Sequence, residues 1–312
     1  MAEEEAPPFR RVAIIGCGLI GGSIALAGRR PGVHFALHDR DAKALGRAEE
    51  IGLGDSYHAD LADAVKDADA VIACVPVGSS AGVAEAIAPH LKAGAVVSDA
   101  GSVKRVVLDA MAPHIPDHAH LVPAHPIAGT EQSGPDAAFA SLFRNRWCVL
   151  TPADGADTDA VDRLTRFWEA MGARVEVMDA DHHDRVLAIT SHLPHLIAYN
   201  IVGTVSDLEG HTKSEVLKFS ASGFRDFTRI AASDPTMWRD VFLNNREAVL
   251  EMLGRFSEDL AFLQRAIRWG DGDALFDLFT RTRDIRRRII EAGQDTEAAD
   301  FGRRAVTERS ED

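Results

Sequence analysis

RVAIIGCGLIGGSIALAG, residues 11–28, decides the fold. The apolar run Val12–Ile15 leads directly into Gly16-x-Gly18-x-x-Gly21, and a second apolar run of helical character follows. Three glycines at this spacing say little alone; the strand before them and the helix after them give them meaning. Gly16 permits a tight turn, Gly18 lets the backbone approach a pyrophosphate, and Gly21 lets helix and strand pack closely. Leu19 and Ile20 open the helix, whose first amides lack intrahelical partners and are available to a phosphate. The next strand, HFALHD at 34–39, ends in Asp39, 23 positions past Gly16, where a carboxylate can accept hydrogen bonds from ribose hydroxyls. The same charge repels a 2′-phosphate, so the reading is NAD rather than NADP, with Arg40 next door working against it.

The pattern repeats along the chain. DAVIACVPV at 69–77, AGAVVSDAGS at 93–102, HLVPAHP at 120–126, WCVLTP at 147–152 and RVEVMD at 174–179 are apolar on both faces, and most are separated by helix-length segments. That alternation indicates a mostly parallel, doubly wound sheet. Ligands of such sheets lie outside the carboxyl ends of the strands. Val75 and Pro76 close the fourth strand there, and the polar residues of SDAGSVK (98–104) and AHPIAGTEQSG (124–134) point toward the same crevice. After Asp179 long helical patterns take over. The expected division is a disordered tail at 1–9, a Rossmann-type NAD-binding domain at 10–179, an all-α substrate and dimerisation domain at 180–292, and a polar tail at 293–312.

Within the helical part, Asp234-Pro235 is an N-cap followed by proline at the first helical position. Trp238, Phe242, Met252, Phe256, Leu260, Leu263 and Ile267 then recur at helical spacing, which predicts one helix of about 30 residues. A helix that long in a small domain is expected to bury its stripe across a homodimer.

Composition sets the remaining bounds. A formal charge of −14 over 312 residues argues against nucleic acid or an anionic membrane as partner, and it demands a local basic pocket for any anionic substrate. Cys17, Cys74 and Cys148 stand far apart with no paired spacing, which reads as reduced thiols and a cytoplasmic location. The acidic start MAEEEAPPF has no secretory character, and no run is expected to approach the apolar length of a membrane span.

Four sequence-distant clusters could carry chemistry: Ser102 with Lys104, His125 with Glu131, His192 with His195, and Arg229 with Trp238. Each has a plain structural reading. Ser102 could cap a helix, His125 could be a satisfied loop residue, and Arg229 could pair with Asp226. His192 and His195 invite a zinc reading, but the i,i+3 spacing and the apolar surroundings of the cysteines speak for no metal.

Taken together, GCGLIGGS, ACVPV, SDAGSVK, HPIAGTEQSG, SHLPHLIA and SGFRDFTRIAASDPTMW, in this order, resemble the prephenate/arogenate (cyclohexadienyl) dehydrogenase family from about Arg11 to Ile290. The resemblance implies a homodimer and an NAD-dependent oxidative decarboxylation. Prephenate would give 4-hydroxyphenylpyruvate, and arogenate would give tyrosine. It implies further that Ser102 and His125 are the catalytic pair at the substrate hydroxyl, and that Arg229 binds a substrate carboxylate. His192, His195, Glu131 and Trp238 would shape or gate the pocket, some of them from a partner subunit. Preference between the two substrates stays open. So do a β-hydroxyacid dehydrogenase, which would use a helix-borne lysine where this chain has histidines, and an NAD-binding sensor without chemistry.

Overall fold

The computed structural model describes residues 6–207, 215, 218 and 222–291. The chain forms two compact units divided between Met252 and Leu253. The first is built on a six-stranded parallel sheet of order β3-β2-β1-β4-β5-β6. Its strands are β1 (Arg11–Ile15), β2 (His34–His38), β3 (Ser56–His58), β4 (Ala70–Ala73), β5 (Val96–Asp99) and β6 (His120–Leu121). Helices α1 (Leu19–Ala27), α2 (Ala42–Glu50), α3 (Leu61–Val65), α4 (Ser80–Ile87) and α5 (Arg105–Met111) connect them.

Successive side chains of a strand point to opposite faces, so a strand covered on both sides must be apolar throughout. In β1, Val12 and Ile14 enter one core with Phe35, Leu37 and Ile72. Ala13 and Ile15 enter the other, with Val71 and Val97. The edge strand β3 escapes the sequence pattern because Ser-Tyr-His is polar and only half buried.

The run at 120–126 is divided between two sheets. His120–Leu121 pairs with β5, whereas Ala124–Pro126 forms β7 and pairs antiparallel with β8 (Trp147–Leu150), which runs parallel to β9 (Arg174–Val177). Pro123 stands between the two pieces and has no amide to continue a ladder. Helix α6 (Thr158–Glu169) places Phe167 and Trp168 in the first core. Phe9 is buried there too, edge-on to Phe167 with ring centroids 5.6 Å apart. The expected tail at 1–9 is therefore corrected at its end, because an aromatic side chain anchors it. The expected tail from residue 293 and the first five residues lie outside the described residues.

Helix α7 (Ala180–Leu187) begins at the predicted change of period. A π-helical turn, Ala188–His192, joins it to α8 (Leu193–Ser206), with Pro194 in the first turn of α8. The wider turn accommodates the proline, which lacks an amide hydrogen. The result corrects the expectation that no apolar run approaches the length of a span. Ala180–Ser206 is one 27-residue helix with mean hydropathy 1.2 over its most apolar 18 residues. Its buried face is not purely apolar, since it carries His183, Asp184 and His192.

Helix α9 (Ser222–Thr228) and a 3-10 turn at Arg229–Ala232 follow. The predicted helix of about 30 residues from Pro235 is two helices, α10 (Pro235–Asn244) and α11 (Arg246–Trp269). They break at Asn245, whose buried side chain donates to the Asp184 carbonyl oxygen at 2.9 Å and to His192 Nδ1 at 3.0 Å. Those bonds satisfy a buried amide at the break. Asp234 caps α10 through the Met237 amide, as its sequence indicates. The second unit contains most of α11 and α12 (Gly272–Ile289), on which Ile267, Phe276 and Phe279 are exposed.

Candidate active site

The glycine turn is built as its sequence requires. Gly16 has φ +104°, and a Cβ there or at Gly21 would collide with backbone oxygen, that of Cys74 or of Gly16 respectively. At Gly18 a Cβ would meet nothing within 4 Å. That open position stands at the start of α1, which has no side-chain cap, so the amides of its first turn, Leu19 and Ile20 among them, remain available to an anion. Asp39 lies at the carboxyl end of β2. Its two oxygens accept from the Cys17 amide at 2.8 Å and the Asp41 amide at 2.9 Å, leaving a further lone pair on each for ribose hydroxyls. Val75 and Pro76 follow β4, half-buried and exposed, and lead into the 3-10 turn Val77–Ser79. The residues fit a dinucleotide.

Thiol chemistry has no place here. Burial, with Asp39 beside it, pushes the Cys17 thiol up to about 12. Cys74 and Cys148 are raised by burial as well, and all three are free.

At the carboxyl end of β5, Asp99 forms a buried ion pair with Lys104, whose ammonium also donates to the Ala124 carbonyl oxygen at 2.7 Å. This pair fixes the turn containing Ser102 against β7, which carries His125. Ser102 is half-buried and forms no hydrogen bond among the described residues. It is not the helix cap that its sequence allows. The amides of Lys104 and Arg105 at the start of α5 are held instead by the Asp184 carboxylate, at 2.8 and 3.0 Å.

His125 is buried, and its Nδ1 lies 2.8 Å from Nε2 of His183. Nδ1 of His183 lies 2.8 Å from Asp184 Oδ1. Sequence reasoning missed both residues, although a signal existed: Ala180, His183, Asp184 and Leu187 share the buried stripe of α7. A histidine and an aspartate on such a stripe need partners.

His192 is fully buried, and its Nδ1 is occupied by Asn245 while Nε2 has no partner among the described residues. The indole nitrogen of Trp238 is likewise buried and unpartnered, with its ring 6.0 Å from that of His192. His195 stacks on Trp238 with centroids 3.6 Å apart, and its Nδ1 bonds the Ser191 carbonyl oxygen at 2.9 Å. Arg229, which adds to the forces lowering the His195 pKa, pairs with Glu131 at 2.9 Å rather than with Asp226, which Arg225 takes. A run of contacts thus links His125, through His183, Asp184, Asn245, His192 and Trp238, to His195, on which the charge of Arg229 acts. Of the predicted residues, His125, His192, His195 and Trp238 belong to this run, Arg229 and Glu131 form a pair of their own, and no hydrogen bond joins Ser102 to any of them among the described residues. A separate cleft of about 560 Å³ is lined by Arg105, Asp154, Asp162 and Asp179 among others, holds none of these residues, and has too many acidic groups for a diacid.

The histidines of the site are held neutral. Burial lowers His125 well below its usual value, with His183, Lys104 and His192 adding to the effect. Burial also lowers His183, His195 and His192, the last to about 4. Neutral imidazoles can accept a proton, and two orphaned N–H donors stand beside them.

The chain matches two family descriptions, "Prephenate dehydrogenase, nucleotide-binding domain" over residues 24–177 and "Prephenate dehydrogenase, dimerization domain" over 179–281. It is 44% identical over 280 residues to the cyclohexadienyl dehydrogenase of Zymomonas mobilis, covering 89% of this chain and 95% of that one. Identity with the prephenate dehydrogenase of Bacillus subtilis is 32%, over 88% and 75% of the two chains. Among solved structures, prephenate dehydrogenase of Aquifex aeolicus in complex with hydroxyphenyl propionate and NAD+ is similar, with TM-score 0.83, 31% identity, and 90% and 98% coverage.

Two outcomes are expected from this geometry. A histidine whose folded pKa is depressed supports the fold fully above its unfolded value, about 6.5, and loses that support as pH falls toward the folded value. For His192 the window runs down to about 4, and its share is about 3 kcal/mol. Denaturant midpoints measured from pH 7 to 4 should fall steeply, and a flat profile would contradict the neutral cluster. Gly18→Ala should leave thermal stability near that of the parent yet weaken NAD binding, whereas Gly21→Ala should lower the melting temperature. Unchanged NAD affinity in Gly18→Ala, read by titration calorimetry, would contradict the placement of the pyrophosphate.

Proposed function

The chain belongs to the prephenate dehydrogenase family, and we propose on that premise that it oxidises and decarboxylates prephenate, or arogenate, with NAD. The products are 4-hydroxyphenylpyruvate or tyrosine, CO2 and NADH. The observation that carries the reading is a buried, neutral His125 bonded to His183, in a chain whose Arg229 is held by Glu131.

Bound NAD supplies the hydride acceptor, held by the turn at Gly16, Gly18 and Gly21, by the first amides of α1, by Val75 and Pro76, and by Asp39 at the ribose. His125 accepts the proton of the substrate hydroxyl on Nε2, the ring nitrogen that His183 leaves free. Ser102, with no competing partner, holds the same hydroxyl. As the hydroxyl carbon loses hydride and the oxygen loses its proton, the ring carboxylate leaves as CO2. Its bonding pair enters the ring, which becomes aromatic and draws the reaction forward, and the oxygen, left as a phenolate, takes back the proton from His125. The chain's contribution is placement and charge.

Arg229 binds a carboxylate of the substrate through its planar, permanently charged guanidinium. Glu131 holds that guanidinium until the substrate carboxylate replaces it. His192 and Trp238 donate to the bound diacid, and His195, stacked on the indole, fixes the wall of the pocket. The division at 179/180 assigns NAD to the first domain. The helical domain at 180–292 joins two copies, a reading supported by the matched dimerization description and by exposed Ile267, Phe276 and Phe279. The protein works in the cytoplasm, where its three thiols stay reduced.

The direct assay follows NADH absorbance with NAD and prephenate, and separately arogenate. Turnover on at least one is expected; turnover on neither would sink the proposal. His125→Asn should lower kcat by about 10²–10⁴-fold with little change in KM, and near-normal turnover would remove His125 as the base. Arg229 is partly exposed, so Arg229→Ala should raise KM about 10–100-fold, and an unchanged KM would assign the carboxylate to another residue. Sedimentation equilibrium should give twice the chain mass, and a monomer would contradict the dimer.

A further inference from the structure

Asp184 fixes the direction of every hydrogen bond between itself and the reacting centre. Its Oδ1 accepts from the Lys104 amide and its Oδ2 from the Arg105 amide, and a carboxylate is acceptor-only. The contact between His183 Nδ1 and Asp184 Oδ1, 2.8 Å long, is therefore donated by the histidine. A neutral imidazole protonated on Nδ1 carries its lone pair on Nε2. That nitrogen, 2.8 Å from His125, can only accept, so His125 donates from Nδ1. The lone pair of His125 is then left on Nε2. Each tautomer follows from the one before it, and the series begins at a carboxylate.

We propose that His183 and Asp184 are positioning residues that hold His125 in the tautomer with a free Nε2 and orient its ring for proton abstraction. This deepens the reading above and rests on His125 being the base. The two imidazoles meet edge to face, with centroids 5.1 Å apart at 71°, so His183 constrains the His125 ring as well as its proton. When His125 takes the hydroxyl proton it becomes a cation, and the Asp184 carboxylate offsets that charge through one intervening imidazole. The other groups facing the pair are Lys104 and His192, which oppose a charge on His125, and Asp99, which favours one on His183.

The capping of α5 by Asp184 is structural whatever the chemistry, so the test falls on His183. In the full-length protein with saturating NAD, His183→Leu should lower kcat by about 10²–10⁴-fold. Its KM for prephenate should stay within about threefold, and the acid limb of its kcat–pH profile should move. His183→Gln, whose amide oxygen can accept from His125 Nδ1, should return kcat to within about tenfold of the parent. Imidazole nitrogen NMR shifts supply a readout that packing alone would not move: His125 should be protonated on Nδ1 in the parent and on Nε2 in His183→Leu. The proposal is overturned if His183→Leu keeps the parental kcat and pH profile, or if parental His125 carries its proton on Nε2. If the leucine variant does not fold, the parental nitrogen shifts decide alone. The two readings fail separately: an active His125→Asn removes the base itself, whereas an inactive His125→Asn beside a fully active His183→Leu removes only the positioning role.

Discussion

The carboxylate of Asp184 joins the two halves of the site. Its oxygens close the first turn of α5 by accepting the amides of Lys104 and Arg105, and one of them also receives His183. The Asp184 carbonyl oxygen accepts from Asn245 at the break between α10 and α11. One residue of α7 thereby bonds the start of α5 after β5, the His183 imidazole, and Asn245 at the break that follows α10. Such a buried group is costly to leave unpaired, and its several donors meet that cost.

The same economy of charge explains how a strongly acidic chain can bind an anion. Lys104 is neutralised by Asp99 inside the protein, and the partly exposed Arg229 is paired with Glu131. Burial keeps the imidazoles between them uncharged. In the proposed reading, the site presents hydrogen-bond donors and a proton acceptor rather than a standing positive field, and a substrate carboxylate displaces Glu131 from Arg229. His125 is held in its neutral form at neutral pH by its burial, with its lone pair open to a proton.

Legibility in the sequence tracked chemical uniformity. The glycine turn and the strands buried on both faces were readable because one requirement acts on every residue of the segment. The edge strand Ser56–His58 was not, since a half-covered strand tolerates polar side chains. The run at 120–126 read as one strand because its composition is continuous, although Pro123 divides it between sheets. Ser102, His125, Arg229 and their neighbours were proposed through family resemblance, not spacing, because they come from four segments far apart in the sequence. His183 and Asp184 were missed because a polar residue on a helix reads as solvated unless the buried stripe is traced through it. Asn245 was missed for a related reason: the apolar periodicity continues past it, and its tertiary bonds, not its propensity, end the helix.

The account stands on one bound diacid touching both His125 and Arg229. A crystal structure of the protein with NAD and a 4-hydroxyphenyl carboxylate tests this most directly. The phenolic oxygen should lie about 2.6–3.2 Å from His125 Nε2, with the carboxylate on the Arg229 guanidinium. A ligand seated away from His125, or held there with Arg229 still on Glu131 and its carboxylate bound elsewhere, would contradict it.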